Sequence, residues 1–234
     1  MFRYLPMPLL ALGLVAACGN NIRATEEPTV DSLRFLALGD SYTIGESVPA
    51  AQRWPVQLAE LLRREGIEVK QPSIVAQTGW TTAELDAGID EADPEGEFDL
   101  VSLLIGVNNQ YRGLDEEQYR LEFRALLDRA ISFAGGDPRR VLVLSIPDWG
   151  VTPFAEGRDR TQIAADIDEF NRINREETER TGARYVDITP FSREAAGDPA
   201  LVAADGLHPS GKMYAEWARL ALPAALEAIG GAGE

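Results

Sequence analysis

FDLVSLLIG, residues 98–106, is nearly continuous in apolar residues and closes on a glycine. A strand with one solvated face would alternate apolar and polar residues. This run does not, so it predicts a central parallel strand buried on both faces. The pattern repeats on either side. Upstream, RFLALG (34–39) is a second apolar strand, and RWPVQLAELLRRE (53–65) sets Val56, Leu58, Leu61 and Leu62 on a helical period. A weaker strand, IEVKQPSIVA (67–76), is interrupted by Pro72, and a short helix follows over 81–91. Downstream, a long helix is predicted over 115–134 and a strand at RRVLVLSI (139–146). A helix over 161–181 then stops at Gly182, and ARYVDI (183–188) is the last strand. The last helix runs over 209–229, with Pro209 in its first turn. Five strands, each followed by helical sequence, predict one α/β domain over 34–230. Its parallel sheet is covered by helices on both faces, three layers in all. Such sheets bind ligands at the carboxyl ends of their strands.

The 234 residues suffice for one good-sized domain. Lys plus Arg is 22 and Asp plus Glu is 38, a formal net charge of −16. A nucleic-acid partner needs a basic face to neutralise phosphate, so that class is excluded. A broad electrostatic grip on an anionic membrane is disfavoured for the same reason. The acidity serves solubility. Cys18 is the sole cysteine, so no intrachain disulfide is available. With His208 the sole histidine, no His/Cys metal cluster can form, and no calcium-loop pattern is present. The expectation is an activity without metal or other cofactor.

Residues 1–17, MFRYLPMPLLALGLVAA, place Arg3 ahead of an apolar stretch from Leu9 to Ala17. The stretch is too short to span a bilayer and suits the core of an export signal. It runs into Val15-Ala16-Ala17-Cys18-Gly19, which resembles the bacterial lipoprotein processing box. In that family the cysteine is lipidated and becomes the mature N-terminus. The resemblance implies a signal over 1–17, a lipid anchor at Cys18 and a location in the bacterial cell envelope. The alternative is a plain secretory signal with an Ala-x-Ala-like site. Residues 18–33 are polar beyond the cysteine and read as a tether.

The strand ends hold the candidate chemistry. They read Gly39-Asp40-Ser41 after the first strand, Thr78-Gly79-Trp80 after the second and Gly106-Val107-Asn108-Asn109 after the third. Asp205-Gly206-Leu207-His208 follows the fifth. With GDSYTIGE, QTGWTT, GVNNQ and DGLHPS in this order, the chain resembles the SGNH (GDSL-type) hydrolase family. The four segments span 39–210, almost the whole domain. The resemblance implies a flavodoxin-like sheet of order 2-1-3-4-5 and carries Ser41, Gly79, Asn108, Asp205 and His208 over to catalytic roles. The chain departs at one point. The family often has Asp after the oxyanion asparagine, whereas this chain has Asn109.

The residues support the same chemistry on their own terms. A serine hydroxyl is a poor nucleophile until a base takes its proton. His208 is the only side chain here that ordinarily titrates near neutrality. Asp205, three residues earlier, can accept the ring's other N–H in a tight loop. The backbone amides of Ser41 and Gly79 and the side-chain amide of Asn108 can hold an oxyanion. No G-x-S-x-G elbow surrounds Ser41, which points away from the α/β-hydrolase fold. Asp40 reads as structural, holding its turn by side-chain to backbone hydrogen bonds. Asp148-Trp149 ends the fourth strand, where pocket lining and wall packing explain it equally well. The tyrosines, Trp54 and Trp217 read as packing residues.

The expected function is hydrolysis of a carboxylic ester through an acyl-serine intermediate. Lysophospholipase, arylesterase or thioesterase activity comes first, and carbohydrate O-deacetylation second. A catalytically idle, envelope-anchored binding domain is the rival from another class. The expected partners are a small-molecule or lipid ester and, through the Cys18 anchor, a membrane. The protein is expected to be monomeric.

Overall fold

The apolar runs become parallel strands, and the amphipathic stretches between them become the covering helices. The computed structural model describes residues 32–230, together with Met1. The expected signal, Cys18 and nearly all of the tether lie outside the described residues. In chain order the elements are β1 (Phe35–Gly39), α1 (Ser41–Ile44), α2 (Trp54–Arg64), β2 (Ser73–Ala76), α3 (Thr82–Ala92), β3 (Leu100–Leu104) and α4 (Val107–Tyr111). They continue with α5 (Glu116–Phe133), β4 (Val141–Leu144), α6 (Arg160–Thr181), β5 (Arg184–Val186), α7 (Thr189–Ser192) and α8 (Gly211–Gly230). Short 3-10 turns fill several connections.

The sheet is wholly parallel with order β2-β1-β3-β4-β5, as expected. β1, β3 and β4 are buried at every position, which is why their sequences show no alternation. Right-handed crossovers put the helix that leads leftward and those that lead rightward on opposite faces. On one face α2 packs against α8; on the other α3, α5 and α6 lie side by side. The core between the layers includes Trp54, Trp217, Phe35 and Phe123, all fully buried. On the α5–α6 side, buried Glu177 pairs with Arg120 at 2.8 Å and also meets Arg124 and Arg180.

Register sets the position of the site. Phe35 to Gly39 run level with Leu100 to Leu104, so β1 and β3 end together. The chain leaves β1 toward β2 on one side and leaves β3 toward β4 on the other. That divergence opens a crevice at their carboxyl ends.

Several boundaries differ from the expected ones. The second strand is confined to Ser73–Ala76, after Pro72; Val69 makes only an isolated bridge to Leu33. Leu33, the last residue of the expected tether, therefore already pairs with the domain. The last helix starts at Gly211 rather than at Pro209. Pro209 bridges Val202 instead, and Ser210 takes the cap: its hydroxyl accepts the Met213 amide at 3.3 Å. The short helices α1, α4 and α7 have no counterpart in the sequence pattern, because four or five residues are too few to show a period.

Candidate active site

The first strand end is built around a buried turn. Asp40 caps α1: its Oδ1 accepts the Tyr42 amide at 3.0 Å, and its carbonyl accepts the amides of Thr43 and Ile44 at 3.0 and 2.9 Å. This is the turn-holding role read from the sequence. Ser41 is the first residue of α1 and is nearly buried. Asp40 is wholly buried, and that burial pushes its carboxyl from 3.8 up to about 7, partly opposed by the Tyr42 amide.

Beyond β2, Gly79 has φ of +86°, a conformation that L side chains rarely adopt. Its carbonyl accepts the Arg112 guanidinium at 2.5 Å. Among the described residues, no backbone carbonyl takes the N–H of Gly79. Trp80 is seated on Gly88 of α3, where a Cβ would stand 2.1 Å from the indole. Thr81 and Glu84 then open α3 with a reciprocal capping box.

Beyond β3, Asn108 lies on α4. Its Nδ2 donates to the Trp80 carbonyl at 2.9 Å and lies 3.4 Å from Asp40 Oδ2. The second contact is long, so that amide hydrogen is weakly held. Asn109, the departure from the family pattern, ties α4 to α3. Its Oδ1 accepts the Thr82 amide at 3.1 Å and its Nδ2 donates to the Thr82 hydroxyl at 2.7 Å. The Thr82 hydroxyl in turn donates to Glu122.

Asp205 and His208 do not stand directly at the end of β5, where the sequence reading put them. They lie in the loop that leads into α8, after α7 and two 3-10 turns. Asp205 Oδ1 accepts the amides of Leu207 and His208, both at 2.9 Å. Asp205 Oδ2 accepts from His208 Nδ1 at 2.6 Å and from the Ser47 hydroxyl at 2.6 Å. Partial burial pulls the Asp205 carboxyl upward, but the Ser47 hydroxyl, the Leu207 amide and His208 together hold it well below the usual carboxylate range. His208 is nearly buried and packs on Tyr42, with ring centroids 5.4 Å apart.

Ser41, Gly79, Asn108 and His208 line one cleft of about 150 Å³. Asp205 stands behind His208. Trp149 also lines this cleft, whereas Asp148 does not. Asp148 is turned into the body of the protein, where the Arg193 Nε meets it at 2.9 Å and the Gly150 amide caps it at 2.9 Å. The sequence reading missed the rest of the wall. Tyr111 and Phe154 stand with Trp149 as a triangle of rings, with centroids 5.3, 6.1 and 5.9 Å apart. Tyr111 directly follows GVNNQ and could have been suspected from that adjacency; Phe154 carries no such signal. The Trp149 indole N–H donates to Gln110 at 2.8 Å, which fixes the ring from behind.

The GDSL-like lipase/acylhydrolase family model matches residues 37–216, a span that holds every residue of this cleft. No curated protein sequence matches the chain. The crystal structure of TesA is similar, with a TM-score of 0.62 and 21% identity, over 84% of this chain and 99% of that one. Axe2, an acetylxylan esterase from Geobacillus stearothermophilus, is similar with a TM-score of 0.61 and 21% identity, over 86% of this chain and 96% of its own. The psychrotrophic esterase EstA from Pseudoalteromonas sp. gives a TM-score of 0.59 and 18% identity, over 82% of this chain and 96% of its own. At these identities the likeness is one of fold.

Proposed function

This chain belongs to the GDSL-like lipase/acylhydrolase family and is a serine esterase or acylhydrolase, and from that premise we propose that Ser41, His208 and Asp205 hydrolyse a carboxylic ester or thioester through an acyl-serine intermediate. One observation carries the proposal. Ser41 and His208 face the same cleft, and the ring nitrogen of His208 that would face away from the nucleophile is held 2.6 Å from an ionised carboxylate. In this reading His208 Nε2 takes the Ser41 proton as Oγ attacks the acyl carbon, and later returns it to the leaving group. Asp205 keeps the proton on Nδ1 and steadies the imidazolium that forms. The amides of Ser41 and Gly79 and the Nδ2 of Asn108 would receive the oxyanion. To do so, Asn108 would exchange its long contact with Asp40 for a shorter one. Water attacking the acyl-serine, with His208 as base, completes the cycle.

The acyl group would lie against Tyr111, Trp149 and Phe154. These rings favour an apolar or aromatic acyl chain, as in a lysophospholipase, arylesterase or thioesterase. A second reading, carbohydrate O-deacetylation, draws on the same cleft. About 150 Å³ suits a short acyl group, and the partly exposed rings of Tyr111 and Phe154 offer a surface for a sugar. Lipidation of Cys18 would hold the enzyme at a membrane of the cell envelope. Cys18→Ser would then release it from the membrane fraction.

A fluorophosphonate probe should label Ser41, and Ser41→Ala should abolish labelling and turnover together. An unlabelled wild-type protein that hydrolyses no activated ester refutes the proposal. A series of p-nitrophenyl esters from acetyl to palmitoyl separates the two readings, since a sharp preference for acetyl eliminates the long-chain one.

A further inference from the structure

The segment just after the nucleophile helix touches two other parts of the site, the Gly79 loop and the Asp205–His208 loop. Gly45 caps α1, and the Glu46 amide donates to the carbonyl of Ser41 itself at 3.0 Å. The Glu46 carboxylate accepts from the Thr78 hydroxyl, next to Gly79 on the cleft wall. The Ser47 hydroxyl donates to Asp205 Oδ2 at 2.6 Å, across 158 positions of chain. We propose that Glu46 and Ser47 are positioning residues for the hydrolysis: locked to the Ser41 carbonyl, they hold the Gly79 loop through Thr78 and the Asp205–His208 loop through Asp205.

The backbone supports this assignment. Ser47 has φ of +63°, and among the described residues only Asp93 shares a positive φ without being glycine. Asp93 is explained as the cap of α3. Ser47 is exposed, and a glycine would sit there with less strain. What serine adds is the hydroxyl, and the hydroxyl is spent on Asp205.

The consequence for the reaction follows from the carboxylate. Asp205 Oδ1 is held by two backbone amides, and Oδ2 is shared by Ser47 and His208. Four donors fix the plane of the carboxylate, and with it the direction in which the imidazole points. Without the Ser47 hydroxyl, Oδ2 loses one of its two donors. The carboxylate is then held by three donors instead of four, and the imidazole it orients is held less firmly. Turnover should slow through misorientation of the imidazole.

The inference rests on the acyl-serine reading, so wild type and Ser41→Ala are measured in the same series. The substrate is p-nitrophenyl butyrate, and thermal unfolding is followed in parallel. Ser47→Ala and Ser47→Gly should each lower kcat about fivefold with KM little changed, as expected for one hydrogen bond open to water. Their thermal midpoints should diverge, with Ser47→Gly the more stable because it adopts the positive φ without strain. Glu46→Ala and Thr78→Val should each lower kcat, and the double variant should be no worse than the poorer single one. The inference is overturned if Ser47→Gly keeps wild-type kcat, if kcat follows the thermal midpoint across the two Ser47 variants, or if the Glu46 and Thr78 effects multiply. Absence of Ser41-dependent turnover in the wild type would instead overturn the esterase reading, and the inference with it.

Discussion

Replacing Asp40 by asparagine removes a carboxylate that is wholly buried at the start of α1. Burial raises its carboxyl from 3.8 to about 7, so over that range the folded protein holds a proton that the unfolded chain has released. Stability falls with rising pH wherever the folded state binds more protons than the unfolded one. The wild type should therefore lose stability between about pH 4 and pH 7 and lose no more from this group above that. At about 1.4 kcal/mol for each pH unit, the displacement corresponds to a loss on the order of 4 kcal/mol. The substituted amide can still accept the Tyr42 N–H through its oxygen. Its nitrogen would face that of Asn108, a cost that does not depend on pH. The other acidic groups titrate alike in both proteins, so the informative quantity is the difference between them. Urea unfolding at constant ionic strength, at half-unit steps from pH 4 to pH 8.5, measures it. The wild-type advantage should shrink by about 4 kcal/mol across the window and then level off. A difference that stays flat, or that changes only below pH 5, refutes the assignment of a buried, proton-holding carboxyl at position 40.

Three further outcomes test other parts of the structure. Gly39→Ala would place a methyl 2.2 Å from the Thr43 hydroxyl and 2.4 Å from the Leu104 carbonyl, and denaturant unfolding should register a loss on the order of 2 kcal/mol. Asn109→Asp removes the amide that donates to the Thr82 hydroxyl, while that hydroxyl already donates to Glu122; the same measurement should show a loss of about 1–2 kcal/mol at pH 8. Phe154→Ala removes a partly exposed ring from the cleft wall. KM for p-nitrophenyl octanoate should rise about fivefold with little change in thermal midpoint, consistent with loss of one aromatic contact surface.

The strands were legible because burial on two faces writes itself into neighbouring residues. Residues 98–106 show it most plainly, since Leu100 to Leu104 are buried at every position. The helix within 53–65 was legible from its period, and the end of α6 from Gly182. The four strand-end segments marked Ser41, Gly79, Asn108 and His208, and these do share a cleft. Asp205 was legible too, because its partner is three residues away and the pairing closes within one loop.

What escaped the sequence lies between elements that are distant in the chain. Ser47 reaches Asp205 across 158 positions, and no local pattern records that meeting. Trp149 and Asp148 are neighbours, yet one lines the cleft and the other pairs with Arg193 in the interior. Tyr111, Trp149 and Phe154 form one wall because β3 and β4 are adjacent and their following loops rise on the same edge. Local hydrophobic pattern is set by each residue's own surroundings and can be read one segment at a time. Distances across the cleft are set by strand order and register, which align Gly39 with Leu104 and so bring the loop of Ser41 beside the loop of Asn108.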